Sequence, residues 1–307
     1  MSIPVIDFSA FSLTEDDVSE EQMCSLSSQM KTAFTDVGFV FLKNTGITHE
    51  EVERVLDASK KFFLQPDEKK QPFSRRSFSI NENHGWVSCE IERLNPNRPG
   101  DLKESYNICS VLPDIKWPSA EFQELHASSF LRCQELSLRV LTVMAHSLDL
   151  DPDVFLSAHR FVGTDRNSSV LRPLYYPPVD SEKVKKDQVR CGEHSDYGSI
   201  SMLFQRNEGL QVLSRSGEYI NVPVIPGAVL INIADLMQRW TSDQFISVRH
   251  RVLLPPAGDS CTRQCLAFFL QPDDEAVITC LDGSNKYPPV TGYDYLLKRL
   301  QASYDQF

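Results

Sequence analysis

His194-Ser195-Asp196 sets an imidazole and a carboxylate one residue apart. On a strand or an extended loop alternate side chains point the same way, so the two can converge on one point. A third ligand has to come from elsewhere in the chain. His250, inside the strand-like run Ser247-Val248-Arg249-His250-Arg251-Val252, is the natural candidate. Two imidazoles and a carboxylate cover one face of an octahedron and leave three positions open, which suits iron(II) that must bind a co-substrate and O2. Spacing alone leaves zinc open, since it takes the same ligand types. With 7 histidines and 42 acidic residues, a lone His-x-Asp is also an ordinary chance occurrence.

The elements that must position these residues change character near residue 160. Before it, helical patterns dominate. Residues 18–35 carry Met23, Leu26, Met30, Ala33 and Phe34 at helical spacing. Thr48-His49-Glu50-Glu51 is a capping-box pattern that opens a second helix. A long helix is expected from about Ser119 to Ser147, and a short one from Asp151-Pro152, a cap residue followed by a first-turn proline. Strands are expected at Val5–Phe8, Gly38–Asn44 and Leu102–Ile108. From residue 168 onward they follow quickly, at 168–176, 188–193, 199–205, 209–213, 218–223, 228–233, 246–253, 263–271 and 276–280, with glycine, proline and asparagine between them. Many short strands at such spacing point to a sandwich or barrel. A closing helix is expected near 292–304. The expected class is α+β, mainly β. A helical and mixed part over 1–160 supports a β core over 161–285 that holds the metal site, and a C-terminal helix lies within 286–307.

Bulk properties bound the function. The chain has 307 residues, 41% of them hydrophobic, enough to bury a sizeable core. Its formal net charge of −11 repels phosphate backbones, and Lys183, Lys185 and Lys186 sit among acids as a solvated loop, so nucleic acid is disfavoured. Eight scattered cysteines without a CxxC pair, and an N-terminus without a signal-peptide core, lead us to expect reduced thiols in a cytoplasmic protein. No apolar run approaches the roughly 20 residues needed to span a bilayer, so no membrane partner is expected and the Asn167-Ser168-Ser169 sequon reads as an ordinary loop.

The context of His194 separates these readings. The stretch runs Gly192-Glu193-His194-Ser195-Asp196-Tyr197-Gly198-Ser199-Ile200-Ser201-Met202-Leu203, followed by Gly209-Leu210-Gln211-Val212 and Pro226-Gly227-Ala228-Val229-Leu230-Ile231-Asn232-Ile233-Ala234-Asp235. Then come Trp240-Thr241, Ser247 to Val252, and Arg263-Gln264-Cys265-Leu266-Ala267-Phe268-Phe269. Further upstream lie Pro4-Val5-Ile6-Asp7, Gly38-Phe39-Val40, Gly46-Ile47, Phe62-Phe63, Glu68-Lys69-Lys70 and Asp101-Leu102-Lys103-Glu104. In this order the series resembles the isopenicillin N synthase-like branch of the iron(II)/2-oxoglutarate-dependent oxygenases, over essentially the whole chain.

The resemblance implies a distorted double-stranded β-helix, a jelly-roll relative, with supporting helices. It implies that His194, Asp196 and His250 hold Fe(II), and that Arg263 binds the distal carboxylate of 2-oxoglutarate, where a guanidinium fork suits a carboxylate. Cys265 stands where relatives usually have serine, and a thiol is the weaker donor. Tyr176 matches a tyrosine that contacts the co-substrate, while Leu174 replaces the usual asparagine two residues earlier. The gap from His250 to Arg263 is longer than usual, and the Pro255–Ser260 loop can absorb it. The implied reaction is oxidation of a small molecule, with hydroxylation the leading outcome, coupled to conversion of 2-oxoglutarate and O2 into succinate and CO2. Ascorbate is a candidate reductant.

Arg172 lies on the Tyr176 strand at even spacing and could face the same cavity as a substrate anchor or pair with a nearby acid. Phe269 is a candidate wall beside the metal, and Tyr106 with His84-Gly85-Trp86 a candidate lid side; core packing is the competing reading for each. Two alternatives stay open at this level: an iron oxidase of the same fold that does not use 2-oxoglutarate, and a non-catalytic scaffold.

Overall fold

Two reciprocal capping boxes open the first long helices. The computed structural model describes residues 2–75, 77, 83–111, 115–180, 182–256 and 261–303. In α1 (Glu20–Asp36) the Ser19 hydroxyl accepts from the Gln22 amide and the Gln22 side chain accepts from the Ser19 amide; Thr48 and Glu51 do the same for α2 (His49–Phe63). The short α3 (Asp67–Lys70) follows. The long α4 (Ala120–Ser147) is capped by Ser119, and α5 spans Asp153–Leu156. Between them run β1 (Val5–Asp7), β2 (Phe39–Lys43), β3 (Gly85–Val87) and β4 (Glu104–Asn107). The second half contains β5 (Val170–Tyr176), β6 (Cys191–His194), β7 (Ile200–Gln205), β8 (Leu210–Leu213), β9 (Tyr219–Asn221) and β10 (Ala228–Ile233). After these come α6 (Asp235–Trp240), β11 (His250–Val252), β12 (Arg263–Leu270), β13 (Val277–Ile278), β14 (Val290–Thr291) and α7 (Gly292–Ser303).

The strands form a major sheet in the order β1-β2-β10-β7-β12-β5-β4-β3 and a minor sheet in the order β6-β11-β8-β9. This is the expected β core with helices outside it, open rather than closed into a barrel. The N-terminal part does more than support that core: β1 and β2 extend one edge of the major sheet, and β4 and β3 extend the other. Pairing is antiparallel throughout the major sheet except between β1 and β2.

Strand alternation gives the major sheet two different faces. Val40, Leu42, Met202, Phe204, Val229, Ile231, Leu266 and Phe268 point outward into one core shared with α1, α2 and α4. Phe39, Phe41, Leu174, Tyr176, Leu230, Cys265 and Ala267 point inward against Cys191, Leu210, Val212 and Val252 of the minor sheet. The site lies between the two sheets.

One expected strand is shorter than its sequence pattern. The strand expected over 246–253 shrinks to His250–Val252, because Ser247 donates its amide to Gln238 Oε1 at 2.6 Å and its hydroxyl to Asp235, both on α6. Of the Pro255–Ser260 loop, residues 257–260 lie outside the described residues.

Candidate active site

The triad is assembled across the minor sheet. His194 ends β6, His250 begins β11, and the two are direct cross-strand partners, with ring centroids 4.3 Å apart. Asp196 follows in the turn toward β7. Gly198 lets that turn press against β12: a Cβ there would stand 2.3 Å from the Leu270 carbonyl oxygen. Both imidazole Nε2 atoms lie 3.6 Å from Asp196 Oδ1. An ion with bonds of roughly 2.1 Å can touch two atoms up to about 4.2 Å apart, so one ion could reach all three side chains.

Neighbouring groups orient each ligand. His194 Nδ1 donates to the Gly192 carbonyl at 2.8 Å, and His250 Nδ1 donates to the Val248 carbonyl at 3.2 Å. In the neutral rings both Nε2 lone pairs are then free for a metal. Burial, then the neighbouring His194, pushes the His250 pKa well below the ordinary histidine value, which favours the neutral ligand form. Asn232, on β10 of the major sheet, donates to Asp196 Oδ2 at 2.8 Å and so leaves Oδ1 facing the imidazoles. Burial pushes the Asp196 carboxyl up, but His250, His194 and the Asn232 amide outweigh it and the net shift is downward. Among the described residues this is the one group of three or more His, Cys, Asp or Glu side chains that could hold a metal ion.

The inner face of the major sheet supplies the second half of the site. Arg263, Cys265, Ala267 and Phe269 alternate inward along β12, opposite Tyr176, Leu174, Arg172 and Val170 of β5. Arg263 is 1% exposed. Its guanidinium donates to the Glu208 carbonyl at 3.0 Å, Gln205 Oε1 at 3.0 Å and Cys265 Sγ at 3.2 Å, and lies 4.9 Å from the centre of the Tyr176 ring. These acceptors are all neutral, and Arg263 makes no ion pair among the described residues. A buried cation without a counter-charge is costly, so an anionic ligand would complete this site. Burial pushes the Tyr176 hydroxyl up, keeping it a neutral donor. The two departures noted in the sequence, Leu174 and Cys265, turn out to be cross-strand partners, so the pocket changes as a pair.

Two adjoining cavities meet at the triad. One, of about 590 Å³, is lined by His194, Asp196, His250, Arg263, Cys265 and Tyr176, among others. The other, of about 600 Å³, opens past Arg172, Phe269, Tyr197 and Asn83 toward Leu296 and Leu300 of α7. Arg172 thus borders both cavities, but its charge is engaged: Nη1 and Nη2 donate to the two Glu92 oxygens at 3.1 and 3.0 Å, and Nη2 donates to Ser105 at 2.8 Å. Lys103 Nζ lies 2.8 Å from Glu92 and 2.8 Å from Asp101. Burial lowers the Lys103 pKa, but Asp101 and Glu92 outweigh it and hold the group charged.

Phe269 sits where sequence reasoning put it, as a wall of both cavities. Tyr106 does not. Its strand turns the ring to the helix-side core, against Phe62, Phe122 and His84, and it lines neither cavity. His84 packs on Tyr106 and Trp117 and belongs to no ligand group among the described residues. Sequence reasoning missed Asn232, Lys103, Glu92, Tyr197 and α7 as parts of the site. Asn232 had a signal, as a polar residue inside the apolar run 228–233; Glu92 had none.

Residues 3–127 match the family model of the non-haem dioxygenase N-terminal region named for morphine synthesis, and residues 167–272 match that of the 2OG-Fe(II) oxygenase superfamily. The chain is 34% identical over 276 residues to the UPF0676 protein C1494.01 of Schizosaccharomyces pombe, covering 86% of this chain and 83% of that one. It is 27% identical over 309 residues to the 2-oxoglutarate-dependent dioxygenase htyE of Aspergillus rugulosus, covering 92% and 91%. Among solved structures, a full-length Neurospora crassa protein in complex with alpha-KG and thymine superposes with a TM-score of 0.83 at 32% identity, covering 98% of this chain and 96% of that one. The chain belongs to the 2OG-Fe(II) oxygenase superfamily. It is an iron(II)- and 2-oxoglutarate-dependent dioxygenase that oxidises small molecules. Among the described residues no helix is long and apolar enough to cross a membrane.

Proposed function

We propose that this dioxygenase hydroxylates a small, neutral, planar molecule carrying a carbonyl beside an N–H, with Arg172 and Phe269 in the substrate cavity and Arg263, Cys265 and Tyr176 on the co-substrate. The observation that carries the reading is the Arg172–Glu92 pair. Across the back of the cavity two cations, Arg172 and Lys103, meet two anions, Glu92 and Asp101, so the charges sum to zero. A carboxylate substrate would have to compete with Glu92 for a guanidinium already held by two parallel bonds. A neutral carbonyl asks for one further donor, and an adjacent N–H asks for an acceptor such as the Glu92 carboxylate or the Asn83 amide. The flat walls of Phe269 and Tyr197 suit a ring. The similar Neurospora crassa structure holds thymine, a neutral cyclic imide.

The side chains divide the work. His194, Asp196 and His250 would hold Fe(II), which supplies the site where O2 and the keto acid meet. Arg263 and Tyr176 would fix the far carboxylate of 2-oxoglutarate and keep its keto acid end toward the triad. The apolar inner face excludes water. The test is anaerobic loading with Fe(II) and 2-oxoglutarate, then exposure to O2 with a panel of candidates while succinate and product are measured. Cyclic imides and lactams are expected to raise succinate release with matching product. Stimulation by carboxylate compounds alone would overturn the reading.

A further inference from the structure

Two serines beside the metal ligands lean on one carboxylate. Ser195, between His194 and Asp196, donates its hydroxyl to Asp235 Oδ2 at 3.1 Å. Ser247, three residues before His250, donates to Asp235 Oδ1 at 2.7 Å. The Asp235 amide donates to the Asp196 carbonyl at 2.9 Å. The first residue of α6 therefore ties together the two chain segments that bring the ligands from separate parts of the sequence.

From the other side the same carboxylate is held by α7. Arg299 Nη1 donates to Asp235 Oδ2 at 2.8 Å and the Tyr295 hydroxyl donates at 3.2 Å. Arg299 also reaches the Ser195 carbonyl at 3.4 Å and lies over the Tyr197 ring at 4.5 Å. The Tyr197 hydroxyl shares a 2.7 Å hydrogen bond with Ser303, whose carbonyl accepts from the Arg93 amide at 2.9 Å. This same helix turns Leu296 and Leu300 into the substrate cavity.

We infer that Asp235 is a positioning residue for the metal ligands and that α7, seated through Arg299, must close the cavity for those ligands to be set. Of the four side chains donating to Asp235 among the described residues, Arg299 alone is charged. Without it the carboxylate keeps only hydroxyl donors and is drawn toward water, and Ser195 and Ser247 move with it. Lifting α7 would thus both open the substrate cavity and loosen His194, Asp196 and His250. Covering the substrate and holding the iron become one event. The inference rests on the triad being the metal site, but not on the substrate class.

The test reads metal binding rather than turnover. Anaerobic Co(II) is titrated into the full chain and followed by its visible absorption. Groups that orient metal ligands typically alter affinity by about 10- to 100-fold, and Arg299→Met is expected to bind Co(II) about 10-fold more weakly. Arg299→Lys, which keeps a cation within reach of Asp235, is expected to recover most of that loss. Lys298→Met, an exposed neighbour on the same helix, is expected to match the parent. Co(II) is expected to slow amide hydrogen exchange across 292–303 in the parent and not in Arg299→Met. Asp235→Asn, which keeps one acceptor oxygen, for Ser247, and loses the ion pair with Arg299, is expected to bind Co(II) at least as weakly as Arg299→Met. Parent-like Co(II) affinity in Arg299→Met would overturn the inference. Failure of the parent itself to bind Co(II) would instead overturn the triad as the metal site.

Discussion

Replacing Arg263 by methionine separates co-substrate binding from folding. In the free protein the guanidinium makes three hydrogen bonds to neutral acceptors and no ion pair among the described residues. Hydrogen bonds from a charged donor are worth about 1.5–3 kcal/mol each, while taking a lone cation out of water costs several kcal/mol. The two terms roughly cancel, so Arg263→Met is expected to unfold within a few degrees of the parent. With 2-oxoglutarate the balance changes. Truncating one partner of a buried charge pair costs about 2–5 kcal/mol, at least about a 30-fold loss of affinity. At a ligand concentration about 100 times the dissociation constant, the parent gains about 2.7 kcal/mol, and the variant at the same concentration gains less than about 1 kcal/mol. For a chain of 307 residues, with an unfolding entropy of about 0.6 kcal/mol/K, that is a rise of about 4 °C against about 1 °C. Thermal unfolding of the Mn(II)-loaded proteins without O2, with and without 2-oxoglutarate, reads the difference. A full ligand-induced shift in Arg263→Met would refute the assignment. A collapse of the ligand-free midpoint by about 15 °C would show instead that the arginine serves folding.

Cys265→Ser, which replaces a weak thiol donor with a hydroxyl beside Arg263, is expected to lower the KM for 2-oxoglutarate about threefold with little change in kcat; a raised KM would count against the pocket as described. Asn232→Ala removes the donor that turns Asp196 Oδ1 toward the imidazoles, and a loss of about 10-fold or more in Fe(II) affinity is expected by anaerobic titration. Burial pushes both His126 and His159 down to about 4, below the ordinary value of 6.5. Because the folded values lie below the unfolded ones, the stability tied to keeping these rings neutral is complete above about pH 6.5 and is lost as pH falls toward 4. Urea unfolding at about pH 7 and about pH 5 should differ by about 2 kcal/mol per histidine, and His159→Gln should remove part of that slope. Breaking the buried pair with Arg172→Gln alone is expected to cost about 3–5 kcal/mol, and pairing it with Glu92→Gln should return much of it; additive losses would show that the two side chains act separately.

What could be read from the sequence follows the range of the physics involved. His194, Asp196 and His250 were legible because strand alternation and a distinctive order of motifs act over short stretches. The same period of two sets Arg172 and Tyr176 on one face of β5, as expected, opposite Ala267 and Arg263 of β12. It failed for Tyr106, because alternation says that a strand has two faces but not which of them meets the cavity; Phe62 and Phe122, far along the chain, claim that ring. Glu92 was invisible because it lies outside the named strands and helices, and only the fold brings it to Arg172 and Lys103. The role of α7 was equally hidden. A closing helix can be read from its apolar spacing, but the partner of Arg299 is 64 positions upstream.

The interleaved sheet order separates what the chemistry needs from what the substrate needs. The proposed metal ligands sit on β6, the turn after it and β11, and Arg263, the proposed anchor for the keto acid, sits at the start of β12, all in the second half of the chain. Much of the opposite wall comes from elsewhere: Asn83, Glu92 and Asn107 from the N-terminal half, and Leu296 and Leu300 from the last helix. Substitution of the cavity-facing side chains in these two stretches, such as Asn107 or Leu300, can reshape what is admitted, provided that Arg299 and its hold on Asp235 are kept. Such a division makes the scaffold readily retuned, with a fixed engine and an exchangeable mouth drawn from opposite ends of one polypeptide.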